Sequence, residues 1–323
     1  MQTLSRLDLG SACLAAGYIA DMAYFVAADG VMHVSGPDGR QARRLHEGDI
    51  LAVERLPAGG LLSAGEDGRI VATTAQHTSC LAQAGNKWVS ALAVAADGAI
   101  AYGVGRMVWL QEVDGSWSRH PQARSVEALA FDPAGRTLAI GLYDGVALHA
   151  RGQDGPPRLL PWKGVPTRMS FSADGRFLML AMRGPELHGW HLDAPRHFRM
   201  LGYPGPVTDW SWTPDGRWLA TNAAAGAALW SFDADAGPIG QPPLELGARP
   251  QHGVTAVACH PRQPWVAIGY ADGAIVLESL EGDRRKIIGQ AGRDRLAALA
   301  WHPDGAQLAY GSQSGDCGAI LVN

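Results

Sequence analysis

Short apolar runs, broken at every second position by small or polar residues, recur along the chain and stop at turn signals. VEALAFDPAGRTLAIGLYDGVALHA at 126–150 shows the unit: an apolar strand, a Pro/Asp/Gly turn, a second strand, a Gly turn and a third strand. Copies stand at 207–230 (VTDWSWTPDGRWLATNAAAGAALW), 254–277 (VTAVACHPRQPWVAIGYADGAIVL) and 296–322 (LAALAWHPDGAQLAYGSQSGDCGAILV). Side chains alternate across a strand, so a period of two that ends on Asp-Gly predicts hairpins, not helices.

Two ladders of glycines test the repeat. The first hairpin turn carries Gly59, Gly98, Gly135, Gly175, Gly216 and Gly305, while one copy has Pro261 and Pro264 there instead. The second carries Gly30, Gly68, Gly105, Gly145, Gly184, Gly226, Gly273 and Gly315, in steps of 37 to 47 residues. Counting on from Gly315 past Asn323 and round to Gly30 gives 38, an ordinary step. A unit of about forty residues with three or four strands predicts a propeller blade.

The expected fold is therefore all-β: one closed β-propeller over 1–323 with eight four-stranded blades, or seven if 11–45 is not a full blade. The approximate blades are 11–45, 46–85, 86–123, 124–161, 162–202, 203–248, 249–290, and 291–323 together with 1–9. The last repeat supplies three strands, and residues 2–8 (QTLSRLD) can add the missing outer one. A ring closed by the N-terminal strand leaves no unpaired inner edge.

His46, then Ile50 and LAVERLPAGGLLSAGEDGRI, closely resembles a WD40 repeat, and the pattern is similar to that family over essentially the whole chain. The resemblance implies a network within each blade of a His, a Ser or Thr, an Asp and a Trp. His46, Ser63 and Asp67 fall on three of these positions, and Thr73 or a neighbour on the Trp position. The Trp-Asp dipeptide itself is absent: Leu110, His191 and Ser231 follow the third-strand tryptophans. The blades must rely mainly on packed apolar faces.

Composition agrees. Of 323 residues 47% are hydrophobic, and the net charge is only −4, which argues against disorder and against a generally basic nucleic-acid binder. Glycine (41) and proline (20) are too frequent for a helical bundle. Cys13, Cys80, Cys259 and Cys317 lie far apart without a C-x-x-C pair and read as buried thiols in a reducing cytoplasm. The apolar stretch 9–28 is interrupted by Asp21 and preceded by Asp8, so it reads as strand, not as a membrane or signal segment. A cytoplasmic, soluble protein is expected.

Catalytic signatures are sparse. Gly311-Ser312-Gln313-Ser314-Gly315 has glutamine where a nucleophile elbow needs serine, and Gly103-Val104-Gly105 lacks the third glycine and helix of a phosphate loop. His188 and His191 sit three apart on a strand and so face opposite sides, reading as half-exposed blade histidines, and His77 with Cys80 meets the same objection. No metal ligand set and no cofactor are expected. Arg284, Arg285, Lys286, Arg293 and Arg295, and separately Arg40, Arg43 and Arg44, map to outer strands, where charge guards a sheet edge.

The loops leading into the blades and the second hairpin turns share one rim, the top. Trp88, Trp162 and Tyr203 stand in such loops, and Tyr143 and Arg183 at neighbouring second turns. Trp, Tyr and Arg at a concave rim have the composition of an interface hot spot. Trp88, Tyr143, Trp162, Arg183 and Tyr203 are thus the candidate partner-binding residues of a non-catalytic scaffold for a protein or peptide, with no nucleic acid or membrane partner. The alternative is a metal or small-molecule site in the central channel, with hydrolytic chemistry.

Overall fold

A computed structural model describes residues 2–36, 39–153, 155–194, 196–222, 224–290 and 294–322. Among these residues the strands form eight four-stranded antiparallel sheets, the blades of a β-propeller, and there is no helix. Residues 11–45 hold a complete blade, which settles the count at eight. The chain falls into two compact units, Leu45–Gly202 and Met1–Arg44 with Tyr203–Asn323.

The Leu45–Gly202 unit holds blades 2 to 5, each entered by its inner strand and left by its outer one. Blade 2 runs from Ile50–Arg55 to Thr78–Gln83, and blade 3 from Ala91–Val94 to Trp117–Pro121. Blade 4 runs from Ala128–Phe131 to Arg158–Pro161, and blade 5 from Pro166–Phe171 to Arg196–Met200.

The other unit holds blade 1 (Cys13–Ile19 to Gly39–Arg44), blade 6 (Trp210–Trp212 to Leu244–Leu246), blade 7 (Val254–Cys259 to Arg285–Gly289) and blade 8. Blade 8 takes three strands from the C-terminal end, and its fourth is Gln2–Asp8. That strand lies antiparallel to Asp316–Leu321 with Leu7 opposite Cys317. The stretch 9–28, read as strand, forms the hairpin of Cys13–Ile19 and Met22–Ala27.

Second strands such as Thr137–Leu142 are buried beyond their first residue, because neighbouring blades of the same unit pack on both faces, with Leu138 and Ile140 against blade 3 and Ala139 against blade 5. This is why they read as unbroken apolar runs instead of alternating ones. Outer strands such as Thr78–Gln83 and Gly39–Arg44 are mostly exposed. All six glycines of the first ladder have positive φ, from 66° to 96°. At Gly68 the requirement is double: φ is 75°, and a Cβ would strike the Gly85 carbonyl. Where the ladder lapses at Pro261 and Pro264, a side chain takes over: His260 Nδ1 accepts the backbone N–H groups of Arg262 (3.0 Å) and Gln263 (2.9 Å).

Candidate functional site

Blade 2 carries the network that the WD40 resemblance implied. His46 is fully buried, its Nδ1 2.9 Å from Asp67 Oδ1 and its Nε2 2.8 Å from Ser63 Oγ. A carboxylate only accepts, so Nδ1 carries the proton. Asp67 also accepts the backbone N–H groups of Arg69 and Glu47, each at 3.0 Å. Burial alone would raise the Asp67 pKa, but the hydrogen bonds from His46, Arg69 and Glu47 outweigh it and hold the carboxyl below its ordinary value. Thr73 occupies the remaining position, buried, its hydroxyl without a partner.

Tyr203 turns out to be a network residue as well. It stands thirteen residues before Gly216, as His46 does before Gly59 and Trp162 before Gly175. Its ring is 8% exposed, its hydroxyl lies 2.7 Å from Thr221 Oγ1, and Trp230 Nε1–H donates to it at 2.7 Å. Burial raises its pKa, with the two hydrogen bonds acting against the rise. Tyr203 is therefore corrected from docking residue to internal strut, and Thr221 and Trp230 are network members that sequence reasoning missed. The thirteen-residue spacing shared with His46 was the signal for Tyr203, and Thr221 stands five before Gly226 as Ser63 does before Gly68.

Trp162 fills the same position in blade 5 and is half-buried. It stacks on His188 (centroids 3.9 Å, planes 24° apart), with Arg199 5.5 Å above its ring. His188 is fully buried, not half-exposed, and neither ring nitrogen has a partner. Desolvation, with smaller contributions from His197 and Arg199, lowers its pKa to about 3. His191 meets a different ring, Phe177, edge-on at 4.8 Å. Among the described residues no three His, Cys, Asp or Glu side chains gather as metal ligands. Cys13, Cys259 and Cys317 are buried, whereas Cys80 is exposed on an outer strand.

Three candidates face solvent: Trp88 (66% exposed), Tyr143 (53%) and Arg183. Tyr143 and Arg183 bracket the segment that leads into blade 5. Gly164 N–H donates to the Tyr143 carbonyl (2.8 Å), Trp162 N–H to Asp144 (3.1 Å), and Arg183 N–H to Val165 (2.9 Å). The structure thus gathers Tyr143, Trp162 and Arg183 about residues 162–165. Trp88 lies apart, in the segment whose Val89 N–H donates to Gly65 (3.3 Å). Of the basic clusters, Arg284 lies 5.0 Å over Trp265 and Arg285 is 4.0 Å from Glu278, while Arg293 falls outside the described residues.

These eight blades and their closing strand define a β-propeller. The WD domain, G-beta repeat family matches residues 245–277. That segment includes Asp272, at the position equivalent to Asp67, which pairs with Arg249 through both oxygens at 3.0 and 2.8 Å. The fold is similar to the computationally designed Ika8 protein (TM-score 0.78, 18% identity, 100% of each chain covered). It is also similar to the C-terminal WD40 domain of Sif2 (0.77, 12%, covering 100% of this chain and 98% of that one). A chain of the mitotic checkpoint complex gives 0.66 at 15% identity, covering 84% and 87%. At such identities the likeness speaks for the fold alone. No curated protein matches the sequence. The chain thus has the fold of an eight-bladed propeller, and one of its repeats is similar to the WD repeat.

Proposed function

We propose that the protein is a non-catalytic, cytoplasmic scaffold that binds a protein or peptide partner through the rim of the Leu45–Gly202 unit. WD40 propellers generally serve as interaction scaffolds, which supports the coarse reading. The observation that carries the site is Tyr143, 53% exposed on a turn that the segment 162–165 clamps by backbone hydrogen bonds, with exposed Arg183 tied to the same segment. An aromatic ring and a guanidinium on a rigid frame lose little entropy on docking and match the anchors that dominate interface energies. Trp162 belongs to this frame, stacked on His188 and tied to Asp144, while exposed Trp88 is a separate contact point between blades 2 and 3.

The test is capture from native lysate by the tagged chain. Changing Tyr143→Ala with Arg183→Glu lowers recovery of the specific partner on the order of tenfold while melting is unchanged. Undiminished recovery would remove these residues from the interface.

A further inference from the structure

Between blades 2 and 3, inside the Leu45–Gly202 unit, lies an open groove of about 660 Å³, within the range of ligand pockets. Its blade 3 wall is aromatic. Tyr102 and Trp109 are direct cross-strand partners with rings 9° from parallel and centroids 6.3 Å apart, and Trp117 meets Tyr102 edge-on at 5.8 Å. The blade 2 wall runs through Leu81, Ala82, Gln83 and Ala84, whose two alanines present little volume to the aromatic side. Deeper between the same blades Leu62, Ile70, Val89, Leu92 and Ile100 close the space as core. Ala82, Ala84 and Trp109 pack on the edge of this core, and beyond them the groove is open, with Leu81 and Trp117 38% and 39% exposed.

The rim is cationic. Lys87 lines the groove, Arg119 stands 5.5 Å over Trp109, and Arg106 adjoins the lining residue Met107. None of the three forms an ion pair among the described residues, whereas nearby acids are engaged: Asp67 by His46, Glu112 by Arg151. Arginine over an indole keeps its charge available to an acid while its plane covers the ring.

The geometry points to a docking groove for a short extended peptide of a partner protein. Its apolar anchor sits between Ala82 and the tryptophans, and its flanking Asp or Glu residues meet Lys87, Arg106 and Arg119. This rests on the scaffold reading above and names the chemistry of a partner segment.

The probe is a fluorescein-labelled dodecapeptide of alternating Leu and Asp, titrated into the full chain and followed by anisotropy. Peptides with Ser for Leu, or Lys for Asp, are the controls. Saturable binding is expected, on the order of tenfold tighter than either control, weakened by added salt. Trp117→Ala, and separately Lys87→Glu with Arg119→Glu, weaken it at least about fivefold with unchanged melting. Equal binding of all three peptides, or wild-type binding by both variants, overturns the groove. So does a concentration-dependent dimer abolished by Trp117→Ala, since a second copy then covers it. Tyr143→Ala with Arg183→Glu leaves peptide anisotropy unchanged, which separates the two sites. Lost capture with no peptide binding sinks the groove alone, and peptide binding with undiminished capture sinks the Tyr143 surface alone.

Discussion

Blades 2 and 6 solve the same local problem with different chemistry. In blade 2 a buried histidine links a serine to an aspartate, and the Trp position holds Thr73. In blade 6 a tyrosine links a threonine to a tryptophan, and Ala225 stands where blade 2 has Asp67. Each blade keeps a different part of the family network, and in each the central ring has two hydrogen-bonding neighbours. The constraint is that a buried polar ring be matched at both ends, and several residue sets meet it. Only the blade 2 version contains a carboxylate, so it alone should respond to acid.

The contrast breaks most visibly at Trp230. Trp230→Ala removes a buried indole and leaves the Tyr203 hydroxyl short of a donor, costing about 3–5 kcal/mol by denaturant unfolding. Next is Asp67→Asn, which loses a charge-assisted bond to His46 and costs about 2–3 kcal/mol at pH 7. Because the folded-state pKa of Asp67 lies below its unfolded value, its stabilisation is present above the unfolded pKa and lost as pH falls through the folded one. The gap between wild type and Asp67→Asn should therefore narrow below about pH 4. Trp230→Phe, measured alongside, should show no such narrowing.

Blade 5 sharpens the comparison because its buried His188 has no hydrogen-bond partner at all. Its pKa is depressed to about 3, so the unfolded chain binds the proton more readily and stability falls as pH drops below the unfolded value of 6.5. His188→Leu should recover about 2 kcal/mol at pH 5 relative to its effect at pH 7.5. A pH-independent difference would show that His188 binds its proton alike in the folded and unfolded chain, contradicting a depressed pKa. Smaller again is Tyr203→Phe, expected to cost about 1–2 kcal/mol by leaving the Trp230 N–H and Thr221 hydroxyl without their shared partner. Smallest is Thr73→Val, which removes an unpartnered buried hydroxyl and should be neutral or stabilise by up to about 1 kcal/mol.

Much of the scaffold was legible because turns write themselves into sequence. Asp-Gly and Gly turns recur with positive φ, so Gly59 to Gly305 mark the blades, and the wrap step from Gly315 to Gly30 marks the strand Gln2–Asp8 as the missing one. His46, Ser63 and Asp67 were legible because blade 2 keeps three family residues together. Tyr203 was misplaced because exposure is not a property of residue type. Tyr143 and Tyr203 look alike in composition, and only the spacing to the next hairpin glycine separates a turn residue from a strut. The groove was not legible at all, since it arises from alanines on one blade facing tryptophans on the next, a relation between repeats.

The central claim is that the rim binds while the struts hold, and one paired measurement tests it. Melting temperature and partner recovery are measured together for Tyr143→Ala with Arg183→Glu, and for Tyr203→Phe. Recovery should be lost at unchanged melting for the first, and melting lowered at undiminished recovery from folded protein for the second. The reverse pattern, with Tyr203→Phe abolishing recovery and the rim variant binding as wild type, would contradict it.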